Sequence, residues 1–169
     1  MWLLARTPED MLRIGASLAR VLPEPASASA VLHLQGELGA GKTTLARGFL
    51  EALGHAGTVR SPTYTLIEPY ELTPLTVVHA DLYRLFDPME LEGLGLRDLA
   101  RPRHVWLIEW PERGGVLLPL PDLHALLTVG SVGHEVAVSA HTALGERWLA
   151  GLAGAMAGGP AAGSSAAGP

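Results

Sequence analysis

The first regular pattern along the chain is helical. Thr7-Pro8-Glu9-Asp10 reads as a helix start, with Thr7 as N-cap and Pro8 at the first helical position. Met11, Ile14, Leu18 and Val21 then recur at helical spacing until Pro23 and Pro25 stop the run. Val31-Leu32-His33-Leu34 is short and apolar and predicts the first central strand. After a glycine-rich stretch, Leu45, Phe49, Ala52 and Leu53 fall on one helical face, and Gly54 ends that helix as a glycine cap. Beyond it the pattern becomes strand-like. Tyr64 to Tyr70 and Leu75 to His79 are rich in strand formers, and Arg103 to Glu109 is a buried-type strand that ends in a carboxylate. Leu123 to Val129 and Glu135 to Ala140 read as a hairpin joined by Gly130-Ser131-Val132-Gly133. Asp87-Pro88 opens a short helix through Leu91, and Leu144 to Leu152 is a weak terminal helix. No internal repeat is present.

The glycine-rich stretch changes the picture. Gly36-Glu37-Leu38-Gly39-Ala40-Gly41-Lys42-Thr43 fits G-x-x-x-x-G-K-[ST] without a mismatch, and Lys42 is the single lysine of the chain. A compact ammonium can fold back into a ring of backbone N–H groups and reach β- and γ-phosphates, where a planar guanidinium is too broad. The glycines let the backbone approach phosphates closely. The Thr43 hydroxyl suits a Mg²⁺ that accompanies a nucleotide. Strand, loop and helix occur in the required order, with the positive end of the helix beneath the loop. The expected fold is α/β: a P-loop NTPase-like three-layer fold with a mixed central sheet.

Composition narrows the function. At 169 residues the chain fits one domain with a real core, placed over residues 1–152, followed by an Ala/Gly-rich tail over 153–169. From Ala150 to Pro169 there are fourteen alanines and glycines, a segment with almost nothing to bury and expected to be disordered beyond about Ala153. Net charge is −5, so the surface offers no basic footprint, and tight autonomous nucleic-acid binding is not expected. Cysteine is absent, which rules out disulfides and thiol catalysis. Met1 to Arg6 is too short and wrongly ordered for a signal peptide, and no apolar run approaches a membrane span, so a cytoplasmic location is the expectation.

A phosphate loop needs a carboxylate at the end of a neighbouring strand to hold Mg²⁺, directly or through water. Asp81, after Thr76 to Ala80, and Glu109, after Val105 to Ile108, both meet that description, although either residue could simply end a strand at the surface. A magnesium carboxylate and a second one that orients the attacking water would divide the work. Ser61-Pro62-Thr63-Tyr64 reads equally as a turn or as a hydroxyl segment that senses a γ-phosphate. His33, His55 and His104 have no zinc-like spacing. Trp106 and Trp110 read as packing residues, with Trp110 near enough to edge a site.

Four ordered motifs resemble one family: Gly36 to Thr44, Ser61 to Tyr70, His79 to Leu85 and Ile108 to Arg113. They are similar to the TsaE family (formerly YjeE), small bacterial ATPases of tRNA threonylcarbamoyladenosine biosynthesis, over about residues 1–150. The resemblance implies an ATPase that docks on a TsaB–TsaD heterodimer and meets tRNA only indirectly. It implies ATP and Mg²⁺ as cofactors, with Gly39, Ala40, Gly41, Lys42, Thr43 and Thr44 on the phosphates and Thr43 and Glu109 on the metal. Asp81 would support hydrolysis beside Lys42, and Ser61, Thr63 and Tyr64 would be switch-like. Thr7 and Pro8, with Gly133 or His134, would line an adenine pocket. Two rival readings are a small-molecule P-loop kinase, in which Asp81 and Arg84 position an acceptor, and a nucleotide-dependent assembly module whose hydrolysis is incidental.

Overall fold

The computed structural model describes residues 1–24, 29–62, 65–94 and 101–157. Its elements are β1 (Trp2–Ala5), α1 (Pro8–Arg20), β2 (Ala30–Gly36), α2 (Lys42–Ala52), β3 (Ile67–Leu72), β4 (Leu75–Asp81), β5 (His104–Glu109), β6 (Leu123–Gly130), β7 (Gly133–Ala140) and α3 (Ala143–Ala157). Among the described residues the strands form one sheet in the order β1-β7-β6-β2-β5-β4-β3. The four central strands β6, β2, β5 and β4 run parallel, and β7, β1 and β3 pair antiparallel at the two sides. This is the mixed sheet that the sequence predicts.

Both faces of β2, β4 and β5 are largely buried, which explains their near-continuous apolar character, whereas β6 buries Leu123, Ala125 and Leu127 on one face and leaves Leu126 and Thr128 exposed on the other. Along β5, Val105 and Leu107 enter the core shared with the helices, whereas Trp106 and Ile108 enter a second core with Val78, Leu82 and Leu91. The three layers are therefore α-helices, sheet, and a cover that includes short 3-10 turns at Pro88–Leu94 and Gly115–Leu117. The turn at Pro88 is the expected short helix in a tighter form, extended to Leu94.

α1 starts as the sequence predicts. The Thr7 hydroxyl accepts from the Asp10 N–H, and the Asp10 carboxylate accepts from the Thr7 N–H, a reciprocal capping box. Its apolar stripe crosses α2 at two glycines. A Cβ built on Gly15 would lie 2.0 Å from the Leu45 carbonyl oxygen, and one on Gly48 would lie 2.2 Å from that of Leu12. Backbone meets backbone at this crossing, and it draws the start of α1 toward the start of α2.

Three elements differ from expectation. β1 occupies the residues read only for a leader; it pairs with β7, and the Met1 amino group donates to the Val138 carbonyl at 2.8 Å. The strand expected over Tyr64–Tyr70 begins at Ile67 and continues to Leu72. α3 runs to Ala157, past the point at which the sequence reading starts the tail, because Leu152 still packs in the core and alanine favours helix. Residues 158–169 lie outside the described residues. No helix among the described residues is long and apolar enough to cross a membrane.

Candidate functional site

The glycine loop joins the C-terminal end of β2 to the N-terminus of α2. Gly39 and Gly41 have φ of 82° and 100°, the left-handed region that lets the loop curl directly into the helix. Lys42 is the first helical residue and only 4% exposed. Its ammonium donates to the Gly36 carbonyl at 2.7 Å and the Glu37 carbonyl at 2.9 Å, and sits 3.9 Å from the centroid of the Trp110 ring. Burial lowers its pKa, against the opposing pull of Glu109 and Asp81 nearby. The lysine is thus folded back onto its own loop, as the motif requires.

The two carboxylates meet across the sheet. β4 and β5 pair in a register that sets Asp81 opposite Glu109, and both are buried at the C-terminal edge. Neither is a surface residue that merely ends its strand. Glu109 accepts from the Thr43 hydroxyl at 2.9 Å through one oxygen, and its other oxygen lies 2.8 Å from Nε2 of His79. Asp81 accepts from the Ser61 hydroxyl and, at 3.0 Å, from the Tyr83 N–H. Lys42, Thr43, Thr44, Ser61, Asp81, Glu109 and Trp110 share the lining of one cleft of ≈ 430 Å³. Thr63 and Tyr64 lie outside the described residues.

A second cavity of ≈ 220 Å³ opens on the other side of the loop. Thr7, Pro8 and Met11 line it from α1, with His134 from β7, and it shares Gly39, Gly41 and Thr44 with the first. Thr7 and Pro8 therefore line a cavity beside the glycine loop. Gly133 does not line either cavity. A Cβ there would come within 2.6 Å of the Ala5 carbonyl oxygen, so its task is to let β7 approach β1, and the cavity residue is its neighbour His134. Ala40 is also absent from both linings: its side chain is buried, its N–H donates to the Glu37 carbonyl at 3.1 Å, and its carbonyl accepts from His134 Nδ1 at 2.9 Å.

Sequence reasoning undervalued two residues. Trp110, assigned to packing, holds its ring against the Lys42 ammonium and adopts a left-handed φ of 57°. His79, the first residue of the His79 to Leu85 motif but given no role of its own there, is fully buried beside Glu109. A signal for His79 was available. It is a polar residue in an apolar strand, two positions before Asp81 and hence on the same face.

A glycine loop that delivers a lysine from the central parallel strand to its following helix places the protein in the P-loop NTPase-like class. The comparisons are more specific. The family profile described as "Threonylcarbamoyl adenosine biosynthesis protein TsaE" matches residues 5–135. The Haemophilus influenzae "tRNA threonylcarbamoyladenosine biosynthesis protein TsaE" is 43% identical over 138 residues, covering 81% of this chain and 87% of that protein. The protein of the same name from Bacillus subtilis is 36% identical over 83% of this chain and 84% of its own length. Among solved structures, the crystal structure of YdiB from Bacillus subtilis superposes with a TM-score of 0.72 at 28% identity, covering 90% of this chain and 93% of that one. The chain belongs to the TsaE family of tRNA threonylcarbamoyladenosine biosynthesis proteins.

Proposed function

We propose that the chain is an ATPase subunit that binds and hydrolyses ATP with Mg²⁺ and supports a TsaB–TsaD pair in forming threonylcarbamoyladenosine next to the anticodon of tRNA. The observation that carries the ATPase reading is the convergence in one cleft of the Lys42 ammonium, the hydrogen-bonded Thr43–Glu109 pair and Asp81. The partnership rests on family membership. The net charge of −5 suits a subunit that leaves the grip on RNA to its partners.

The donor set fits the metal. Thr43 and Glu109 offer hard oxygens, and among the described residues no cluster of three or more His, Asp or Glu could hold an ion unaided. Mg²⁺ suits such a pair because it keeps several waters and phosphate oxygens in its shell. When bound, it would neutralise charge on the phosphates. Lys42 would exchange its bonds to the Gly36 and Glu37 carbonyls for phosphate oxygens, and the loop N–H groups and the α2 N-terminus would cradle the rest. Asp81, held by Ser61, would orient the attacking water. The cavity bounded by Thr7, Pro8 and His134 would take the adenine.

The test is Mg²⁺-dependent ATP hydrolysis by the purified chain, alone and with TsaB–TsaD. Slow hydrolysis that changes when the pair is added is expected. ATP binding with hydrolysis indifferent to the pair would sink the partnership and send the protein to a kinase substrate screen. Asp81→Ala should retain ATP binding and lose hydrolysis; equal loss of both would reassign Asp81 to structure or metal binding. If ATP-dependent association with the pair survives in that variant, the assembly-module reading gains.

A further inference from the structure

The imidazole of His79 lies wholly inside the protein, on the face of β4 that also carries Asp81. Its Nε2 is 2.8 Å from Glu109 Oε1, and its Nδ1 is buried with no hydrogen-bond partner. Burying an imidazole costs free energy that an aliphatic side chain at the same place would not incur. The orphaned Nδ1 indicates that the ring is set for its one bond to Glu109, not for polar satisfaction in the core generally. A carboxylate oxygen accepts, so Nε2 carries the proton. Oε2 of the same carboxylate accepts from Thr43 at 2.9 Å. Both oxygens of Glu109 are therefore fixed, one from the sheet and one from α2.

We propose that His79 is a positioning residue that locks the Glu109 carboxylate so that Oε2 stays directed at Thr43 and at a divalent cation on the nucleotide. This rests on the reading of the cleft as a magnesium–nucleotide site. Buried partners of metal ligands act in this way, by holding ligand orientation before the ion arrives.

The experiment is a calorimetric titration with ADP, in Mg²⁺ and again in EDTA, of the wild type, His79→Asn and His79→Gln. Both amides keep a polar group in the core, but only the glutamine amide reaches as far as Nε2. The readout is the factor by which Mg²⁺ tightens ADP binding. His79→Asn should lower that factor by on the order of tenfold, toward unity, and His79→Gln should keep it within about threefold of wild type. ADP binding in EDTA should be unchanged in both. Should His79→Asn fail to fold, His79→Leu deletes the same bond in apolar form. An unchanged Mg²⁺ factor in the bond-deleting variant, or equal loss in Asn and Gln, overturns the clamp alone. A wild type whose ADP binding ignores Mg²⁺ overturns the magnesium–nucleotide reading and the clamp with it.

Discussion

Gly48→Ala tests whether the crossing of α1 and α2 builds the site. The added Cβ would lie 2.2 Å from the Leu12 carbonyl oxygen and 2.7 Å from the Leu12 Cα, both backbone atoms that no rotamer change can move aside. Ordinary contact needs roughly 3.3 Å or more, so the helices must part by about 1 Å. Overpacking of this kind costs about 1–3 kcal/mol. A clash with backbone atoms belongs in the upper part of that range, about 2–3 kcal/mol, and alanine returns about 1 kcal/mol through its better helix propensity, which leaves a net loss of about 1–2 kcal/mol. Urea denaturation reads this as a midpoint lowered by roughly 0.5–1 M, for a slope of about 2 kcal/mol/M. Gly15→Ala forces the same gap open against the Leu45 carbonyl oxygen, 2.0 Å from its would-be Cβ. Once one alanine has separated the helices, the second meets less resistance, so the double variant should cost clearly less than the sum. The α1 side of the smaller cavity, Thr7 and Met11, moves with that separation, and nucleotide affinity should fall about three- to tenfold, or roughly 1 kcal/mol. A Gly48→Ala variant as stable as wild type, or costs that add within about 0.5 kcal/mol, would refute the reasoning.

Lys42→Ala should weaken ATP binding by at least roughly tenfold and remove hydrolysis, since a bond to a charged group is worth about 1.5–3 kcal/mol; full activity in a coupled assay would sink the loop assignment. Asp122→Ala should destabilise by about 2–4 kcal/mol, because this buried carboxylate accepts from the Val31 N–H at 2.9 Å and from the Thr142 hydroxyl, tying β2 to the start of α3. A urea-derived loss under about 1 kcal/mol would contradict that. His33 is held down to about 4 by burial, from an ordinary 6.5, despite its bond to the Pro119 carbonyl. Between those values the unfolded chain binds a proton that the folded chain does not, so stability falls as pH drops from 6.5 toward about 4, by up to about 3 kcal/mol. His33→Gln should flatten that slope, and parallel pH–stability curves for variant and wild type would refute the assignment.

How much was legible depended on where the determining contacts lie. The loop was legible because phosphate chemistry constrains neighbouring residues, and Gly36 to Thr43 meets those constraints within eight consecutive positions. The α1 start was legible for the same local reason, Thr7 and Asp10 being three residues apart. β1 was not. Four residues carry little periodicity, and the strand exists because β7, about 130 residues away, offers it an edge in the register Trp2↔Ala137. His79 needed similar knowledge, since its importance depends on β4 lying beside β5. Gly133 and His134 were separable only by the pleat: one meets the β1 backbone and the other turns toward the cavity.

The two carboxylates differ in what holds them, and that difference bears on their division of labour. Asp81 and Glu109 face each other across one strand pair, with the Lys42 ammonium close enough to feel both. Glu109 is gripped from regular structure on either side, by His79 of β4 and Thr43 of α2. Asp81 is gripped by the Tyr83 N–H and by the hydroxyl of Ser61, a residue that lies outside helix and strand. A ligand for a cation works best when its geometry is fixed before the cation arrives. A group that acts only once nucleotide is present is better controlled by a partner that the nucleotide can move. Under the proposed reading, the rigid carboxylate is therefore the metal residue, and the one tied to Ser61 is the hydrolytic one. The same logic makes Ser61 more than a turn residue, because its hydroxyl ties the stretch before β3 to the Asp81 carboxylate, beside the Asp81 N–H bond to the Leu66 carbonyl.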